Sequence, residues 1–242
     1  MEKCGWIVYI SNAAILLQYR GVKVLIDGLY RDTSGYFSQL PDAVWESMQQ
    51  GMGEIPNVDY LMFTHSHADH FYEPYVSKYL QKNAVKGYAA PFSSESLKGC
   101  TAIVFDSEKK AVLEEDVVCG YLDIRHLDPR FYHVTNRCYL IEMGEKRILF
   151  LGDADYQAEA YGALHGLEID IAFVTPVFFN HEAGRKILQE MLHIRKIILY
   201  HLPFCQEDTM QMEKMARRDI ARYAKEDQPI VIWNKTGQSL VF

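Results

Sequence analysis

The chain has 242 residues, of which 49% are hydrophobic and 24% are charged, and its formal net charge is -7. The apolar fraction is large enough for a hydrophobic core, which excludes a generally disordered chain, and the negative charge argues against nucleic-acid binding. Five scattered cysteines without a C-x-x-C pair exclude a disulfide scaffold and predict a reducing compartment, the cytoplasm. No apolar run approaches the roughly 18 residues of a membrane span, so no membrane partner is expected.

The first half of the chain is predicted to be rich in strands. Apolar segments typical of strands lie at residues 6–10, 14–19 and 22–26. A helix is expected over residues 42–50, a short strand over 61–64 and a helix over 74–81. Three further strands are expected at residues 117–125, 138–143 and 147–151, the last two as a hairpin around Gly144.

The second half alternates between helices and strands. Helices are predicted near residues 156–165, 183–193 and 207–225, and strands at 169–175 and 196–200. A closing hairpin is predicted from residues 229–233 and 239–242. This order predicts sheets covered by helices, and the absence of a linker or repeat predicts a single domain over residues 1–242.

Three histidines and one aspartate are concentrated in residues 65–70, directly after an apolar strand. Imidazole and carboxylate are the usual ligands of zinc and neighbouring divalent metals. His65 and His67 can point to the same side of an extended chain, whereas Asp69 and His70 follow a bend and can reach a second point. Because one tetrahedral ion needs about four ligands, this cluster together with distant partners predicts two metal ions.

The pattern H-x-H-x-D-H after an apolar strand resembles the signature of the metallo-β-lactamase-fold superfamily. Candidates for the later motifs of that superfamily occur in the expected order, with Gly152-Asp153 after one strand and Tyr200-His201 after another. Leu25-Ile26-Asp27-Gly28 is similar to the opening element. The resemblance implies an α+β fold, the four-layer αββα sandwich, in which two mixed sheets face each other with helices outside.

The resemblance also implies a set of metal ligands. His65, His67 and a third histidine would hold the first ion, Asp69, His70 and His201 the second, and Asp153 would bridge both. Two histidines could supply the third ligand. His126 is preferred because it ends an alternating strand, and His133 is the alternative. If His126 is the third ligand, His133 would contact a metal ligand or face the substrate.

A metal-dependent hydrolase is the function that this resemblance implies. A metal-bridging hydroxide would attack an ester-type bond, with Asp69 as general base and acid. The expected substrate is a small, anionic molecule, a phosphodiester or a lactone, and the expected cofactor is a pair of divalent ions, zinc first and manganese or iron as alternatives. The alternative functions are a mononuclear iron oxygenase, an RNA-processing nuclease and a noncatalytic binding protein with a relict metal site.

Further polar residues are candidates for contact with a ligand or the substrate. Asp155 is one of them, and it is equally compatible with a helix cap. His181 follows a strand end and could face the pocket, but a helix start with Asn180 as N-cap is slightly favoured. Tyr30 opens an aromatic segment, residues 30–37, which could form a lid over the site or could simply pack.

Overall fold

Two mixed β-sheets face each other in the protein, for which a computed structural model describes residues 4–52, 55 and 57–242. The first sheet has six strands, which include the last strand of the chain, here β15. These are β1 (Gly5–Ser11), β2 (Ala14–Tyr19), β3 (Val22–Ile26), β4 (Tyr60–Met62), β5 (Gly87–Ala89) and β15 (Ser239–Val241). Their order across the sheet is β15-β1-β2-β3-β4-β5.

The second sheet has seven strands in the order β14-β13-β11-β9-β8-β7-β6. These are β6 (Lys110–Glu114), β7 (Val117–Arg125), β8 (Thr135–Met143), β9 (Lys146–Phe150), β11 (Ile171–Val174), β13 (Ile197–Leu199) and β14 (Ile230–Ile232). The short strands β10 (Glu168–Ile169) and β12 (His193–Ile194) pair with each other in parallel.

Each sheet combines an antiparallel part with a parallel part. In the first sheet β3, β4 and β5 run parallel, and in the second sheet β9, β11, β13 and β14 run parallel. The carboxyl ends of parallel strands lie at the same edge of a sheet, which is where ligand-binding loops of such sheets gather. The loops that follow β3, β4, β9 and β13 therefore converge at one end of the sandwich.

The space between the sheets is filled by apolar side chains that alternate along the strands. Ile7 and Tyr9 of β1 are fully buried in this layer, and they face Phe150 and Phe173 of the second sheet, whose rings stack with centroids 4.7 Å apart. Strands that bury alternate residues in this way are typical of two sheets packed face to face.

Helices cover both outer faces of the sandwich. On the first sheet, α1 (Asp42–Gln50) and α2 (Glu73–Leu80) bury Trp45, Met48, Val76 and Tyr79 against outward side chains of the strands. On the second sheet, the cover is formed by α3 (Pro176–Asn180), α4 (Glu182–Lys186) and α5 (Met212–Tyr223). The four layers are therefore helix, sheet, sheet and helix, which confirms the αββα sandwich that the sequence predicts.

The predicted closing hairpin is wrong. The two strands that were expected to pair belong to different sheets: β14 pairs in parallel with β13, whereas β15 pairs antiparallel with β1. The connection crosses from one sheet to the other, and it is held by the Gly237 amide, which donates to the Tyr9 carbonyl at 3.0 Å. Each strand thereby joins a larger sheet with a buried apolar face. An isolated two-stranded hairpin would have no such face and would be only marginally stable.

Several predicted helices differ in extent or type. The expected helix over residues 156–165 is a 3₁₀ helix at Ala158–Leu164, and the one over 183–193 is α4 followed by a π-helical turn at Ile187–Met191. The last helix begins at Met212 rather than residue 207. None of the helices among the described residues has the length and apolarity needed to cross a membrane.

Candidate metal centre

The loop after β4 carries the histidine cluster, and Asp27 at the end of β3 shapes this loop. The fully buried carboxylate of Asp27 accepts hydrogen bonds from the Thr64 amide at 2.8 Å and from the Thr64 hydroxyl at 2.7 Å. Asp27 itself has a positive φ of 48°, a conformation in which aspartate is several-fold enriched among non-glycine residues. These two hydrogen bonds fix the backbone and side chain of Thr64, and they thereby fix the position at which the histidine cluster begins.

His70 is oriented by the same carboxylate. Its Nδ1 lies 2.8 Å from Asp27 Oδ2, and its Nε2 points into the site, 2.8 Å from His201 Nε2. Burial lowers the pKa of His70, but the charge of Asp27 more than offsets this effect and raises the pKa to about 9. An imidazole that donates from one nitrogen to a carboxylate and turns the other toward a centre is the usual geometry of a metal-binding histidine.

His126 is brought to the site by a pairing that lies outside the named strands. It follows β7 and forms an isolated antiparallel bridge with Ala154, and the Leu127 amide donates to the Asp153 carbonyl at 2.7 Å. The Asp128 amide donates to His126 Nδ1 at 3.0 Å. These contacts turn His126 Nε2 toward Asp153, where it lies 3.3 Å from Oδ2.

Asp153 occupies the middle of the cluster. Its carboxylate oxygens lie 4.0 Å from His65 Nε2, 3.8 Å from His70 Nε2 and 3.7 Å from His201 Nε2. Burial raises the pKa of Asp153, but the surrounding imidazoles, His201 foremost, outweigh burial and hold the pKa well below its usual range. The side chain is therefore a carboxylate that reaches both halves of the cluster.

The turn that presents Asp153 depends on Gly152 and Asn136. Gly152 has a φ of +56°, and a Cβ at this position would lie 2.5 Å from Asn136 Oδ1. The Asn136 side chain accepts from the Asp153 amide at 2.8 Å and donates to the Leu151 carbonyl at 2.9 Å. The turn is thus held from both sides, and its close contacts leave space only for glycine.

His201 and Asp69 are connected through the turn between β1 and β2. The backbone carbonyl of Asn12 accepts from the His201 amide at 3.0 Å, and Asn12 Nδ2 donates to the Asp69 carbonyl at 2.9 Å. Asn12 is fully buried and has a φ of +47°. His201 Nε2 then lies 3.5 Å from Asp69 Oδ2.

The predicted ligands form three overlapping groups, within each of which the candidate ligand atoms lie within 4.8 Å of one another. The groups are His65, His67 and His126; His65, His70 and Asp153; and Asp69, His70 and His201. The structure therefore brings all seven predicted residues into one cluster.

The chemistry of the cluster fits a metal centre. His126 Nε2 is buried and makes no well-aligned hydrogen bond, although Asp153 Oδ2 lies 3.3 Å away. A buried polar atom in this state costs free energy unless it binds something. Burial lowers the pKa of His65, His67 and His201, so these imidazoles favour the neutral form that coordinates metals. The residues present can therefore hold divalent ions.

The remaining candidates lie away from the cluster. His133 is exposed, and Asp155 forms an ion pair with Arg125 instead of contacting a ligand. His181 is exposed, accepts from the Ala183 amide at the start of α4 and stacks on Tyr156 with a centroid distance of 4.0 Å. Tyr30 is fully buried, and its hydroxyl lies 2.7 Å from both the Ser11 hydroxyl and the Ser38 carbonyl. This tyrosine supports the loop rather than facing a substrate.

A cavity of about 490 Å³ opens over the cluster. His67, Asp69, Asp153 and His201 contribute to its floor, and part of the segment 30–37 forms one wall. Within that segment Phe37 lies edge-on against His201 with ring centroids 4.2 Å apart. The cavity that opens over the centre is therefore of small-molecule size.

Three residues that position the ligands were not among the predicted site residues: Asp27, Asn12 and Asn136. Asp27 has a sequence signal, because it ends an apolar strand in the opening element of the superfamily. Asn12 and Asn136 carry no comparable signal, since their roles depend on contacts with segments that are distant along the chain.

Comparison with known proteins supports this architecture. A family model described as "Beta-lactamase superfamily domain" matches residues 6–193. The UPF0173 protein PF0020 of Pyrococcus furiosus is 28% identical over 172 residues, which cover 69% of this chain and 68% of that protein.

Two solved structures share the fold. Isothiocyanate hydrolase from Delia radicum gut bacteria superimposes with a TM-score of 0.68 at 16% identity, covering 98% of this chain and 99% of that one. CmlA, a diiron β-hydroxylase from Streptomyces venezuelae, superimposes with a TM-score of 0.62 at 14% identity, and the match covers all of this chain but 55% of CmlA. The family match, the αββα layers and the ordered His/Asp motifs agree, and the chain belongs to the beta-lactamase superfamily with the metallo-β-lactamase fold.

Proposed function

We propose that the protein is a metal-dependent hydrolase with a dinuclear centre. In this proposal His65, His67 and His126 hold one ion, whereas Asp69, His70 and His201 hold the other. The observation that carries the proposal is the position of Asp153, whose carboxylate lies within 4.0 Å of imidazole nitrogens from both groups. A carboxylate between two ligand groups is suited to bridge two ions.

Two divalent ions would supply a nucleophile and an electrophilic clamp, since bound metals lower the pKa of water toward about 7 and polarise the oxygen of the bond to be cleaved. The charge of the loaded centre also favours anionic groups. The ions would bring about +4, and the carboxylates of Asp69 and Asp153 would subtract about two, so positive charge remains at the cavity floor. This surplus would attract a phosphodiester or a polarised lactone despite the negative net charge of the chain.

Asp69 is the residue best placed to hold a proton during the reaction. Its carboxylate is 18% exposed, lines the cavity and lies 3.5 Å from His201 Nε2 and 3.9 Å from His70 Nε2. It can orient a water molecule at the cavity floor and take up its proton, and it can then return that proton to the leaving group. Asp153 is less suited to this role because the imidazoles around it hold its pKa well below the usual range.

The proposed substrate is a small phosphodiester or lactone, and the proposed metal is zinc, with manganese or iron as alternatives. The family resemblance supports this choice, because β-lactam-hydrolysing members lack an aspartate at the position of Asp153. The cavity of about 490 Å³ supports a small molecule rather than a polymer. The structural neighbour from Delia radicum gut bacteria is named as a hydrolase, which supports hydrolysis in general rather than this substrate class.

The decisive experiment combines metal analysis with activity assays. The protein is loaded with zinc, manganese or iron, the metal content per chain is measured by elemental analysis, and hydrolysis is assayed on phosphodiester and lactone panels. Asp153→Asn is expected to lose bound metal and nearly all turnover. Asp155→Asn is the matched control, because it changes a nearby buried aspartate that pairs with Arg125 instead.

Other results would replace the proposal. Retention of metal and turnover by Asp153→Asn would refute the bridging assignment. One iron per chain with oxygen consumption would favour an oxygenase, a possibility raised by the likeness to CmlA. Cleavage of RNA but not of small esters would favour a nuclease, and a loaded protein without any turnover would favour a binding role.

A further inference from the structure

Two aromatic rings lie against imidazoles of the candidate metal centre. Phe37 lies edge-on against His201, with ring centroids 4.2 Å apart, and Phe131 lies edge-on against His67 at 4.5 Å and His126 at 5.4 Å. Each ring thus contacts imidazoles of a different ligand group, and both line the cavity. A molecule bound in this cavity over the centre would therefore find aromatic surface beside both ligand groups.

A third apolar wall is formed where the chain leaves β11. Thr175 caps the N-terminus of α3 by accepting from the Phe178 amide at 3.3 Å, and Pro176 occupies the first turn. This cap turns Phe178 into the core and leaves Val177 on the cavity side, 47% exposed. Met212 lines the same cavity from the start of α5. Val177 therefore provides apolar surface that the core does not use.

Among the described residues that line the cavity above its floor, no cationic side chain lacks a carboxylate partner. Arg130 is the one lysine or arginine there, and its guanidinium is paired with Asp128 at 2.6 Å and 3.1 Å. The buried Asp32 carboxylate also lines the cavity, and its oxygens accept from the amides of Ser34 at 3.0 Å and Gly35 at 2.7 Å. A second anionic group on a substrate would therefore lose hydration without gaining a free cation.

We infer that the substrate carries an uncharged apolar group, aromatic or branched aliphatic, next to the bond that is cleaved. Phe37, Phe131 and Val177 recognise this group, while the metal centre takes the polar reacting group. The inference rests on the proposed function, since it assigns the substrate class of the same centre. Burial of a phenyl-sized group against these walls contributes binding free energy in proportion to the apolar area removed from water.

The test measures binding rather than turnover. Isothermal titration calorimetry on the zinc-loaded protein compares methylphosphonate, phenylphosphonate and 4-carboxyphenylphosphonate, which share the same metal-binding group. Phenylphosphonate is expected to bind at least about tenfold more tightly than methylphosphonate, because its phenyl group removes more apolar area from water on binding. The carboxyphenyl compound is expected to bind more weakly than phenylphosphonate, because its second charge meets the apolar walls.

Variants of exposed valines locate the effect. Val177→Thr, which keeps the shape of the side chain and adds no charge, is expected to reduce the ratio of phenylphosphonate affinity to methylphosphonate affinity, and the zinc content per chain shows whether the centre is intact. Val112→Thr is the matched control, because Val112 is 73% exposed on β6 and does not line the cavity. It should retain the preference.

The possible failures are distinguishable. Equal affinities for the methyl and phenyl compounds, a tightest-binding carboxyphenyl compound, or the same response in both valine variants would overturn the inference and leave the proposed function standing. If no phosphonate binds the zinc-loaded protein, the inference falls together with the proposed anion-binding metal centre.

Discussion

Asn12 is a single side chain that connects two ligand-bearing loops of the candidate centre. Its carbonyl accepts from the His201 amide, and its side chain donates to the Asp69 carbonyl. Both ligands belong to the group proposed for the second ion. Asn12 is therefore a positioning residue, and its loss should affect one ion more than the other.

Asn12→Gly is expected to weaken binding of the second metal ion about tenfold to a hundredfold, the usual effect of removing a group that orients ligands. Glycine tolerates the positive φ of 47° at this position, so backbone strain does not confuse the result. Stepwise metal titration followed by calorimetry measures both affinities, and the first is expected to stay unchanged.

Asn57→Gly is the control for this substitution, since Asn57 is an exposed asparagine that also has a positive φ, 62°. Equal metal affinities in the two variants would show that Asn12 does not position the ligands. Restoration of the second affinity by Asn12→Gln would instead support the role of the amide donor.

His126 and His133 offer a second test at single residues, because the sequence presents both as the third ligand of the first ion. His126 is 4% exposed and directs Nε2 at Asp153, whereas His133 lies on the surface. His126→Ala is expected to reduce the metal content by one ion per chain, measured by elemental analysis after dialysis. His133→Ala should retain the full content, and the reverse pattern would make His133 the ligand.

The turns at strand ends determine where the ligands point. Gly152 follows β9, and its positive φ turns the chain so that Asp153 faces the cluster. Asp27 after β3 and His201 after β13 have the same unusual φ, 48° and 58°. Such conformations are costly for residues other than glycine and tend to be found at functional sites.

Gly152→Ala is expected to lower the free energy of unfolding by about 1–3 kcal/mol and to weaken metal binding, because a Cβ here meets Asn136 and Thr64. Chemical denaturation in the presence of a chelator measures the stability without the contribution of metal. Gly162→Ala serves as the control, since a Cβ there meets no heavy atom within 4 Å. A stability loss shared by both variants would contradict the argument.

Local sequence signals were sufficient for the long strands and the histidine cluster. Residues 14–19 and 22–26 were predicted with their observed limits, because a short apolar segment bounded by a turn is a local property. The partners of the last two strands could not be predicted in this way. β14 and β15 are close together along the chain, which favours a hairpin, but they pair with strands of different sheets.

The same distinction applies to the candidate centre. The cluster at residues 65–70 and Gly152-Asp153 are visible as motifs, and the end of an alternating strand favours His126. The position of His126 in the cluster depends on its bridge to Ala154, a contact between distant segments. Asn12 and Asn136 were missed for the same reason. The role of each asparagine depends on backbone groups that are distant along the chain, and the neighbouring sequence does not indicate which groups these are.

For the molecule as a whole, the candidate centre joins the two sheets. Asp69 and His70 follow β4 of the first sheet, whereas Asp153 and His201 follow strands of the second sheet. Any ion held between these residues would cross-link the layers and would be lost on unfolding. Metal binding should therefore contribute to global stability as well as to chemistry.

Removal of metal by a chelator is expected to lower the free energy of unfolding by about 2.7 kcal/mol relative to protein with free metal at 100 times its dissociation constant. Urea denaturation with and without zinc measures the difference. Asp153→Asn should show a much smaller dependence on zinc. Coincident denaturation curves of the unchanged protein in zinc and in chelator would argue against a centre that spans both sheets.

The wide separation of the ligands along the chain has a consequence for biosynthesis. His70 and His201 are 131 residues apart, and β1 pairs on one side with β15, which is synthesised last. A ribosome must therefore release most of the polypeptide before the last imidazole can join the others. Until then the nascent His65 and His70 would lack their later partners, so the ion-binding pocket belongs to a late stage of cotranslational folding.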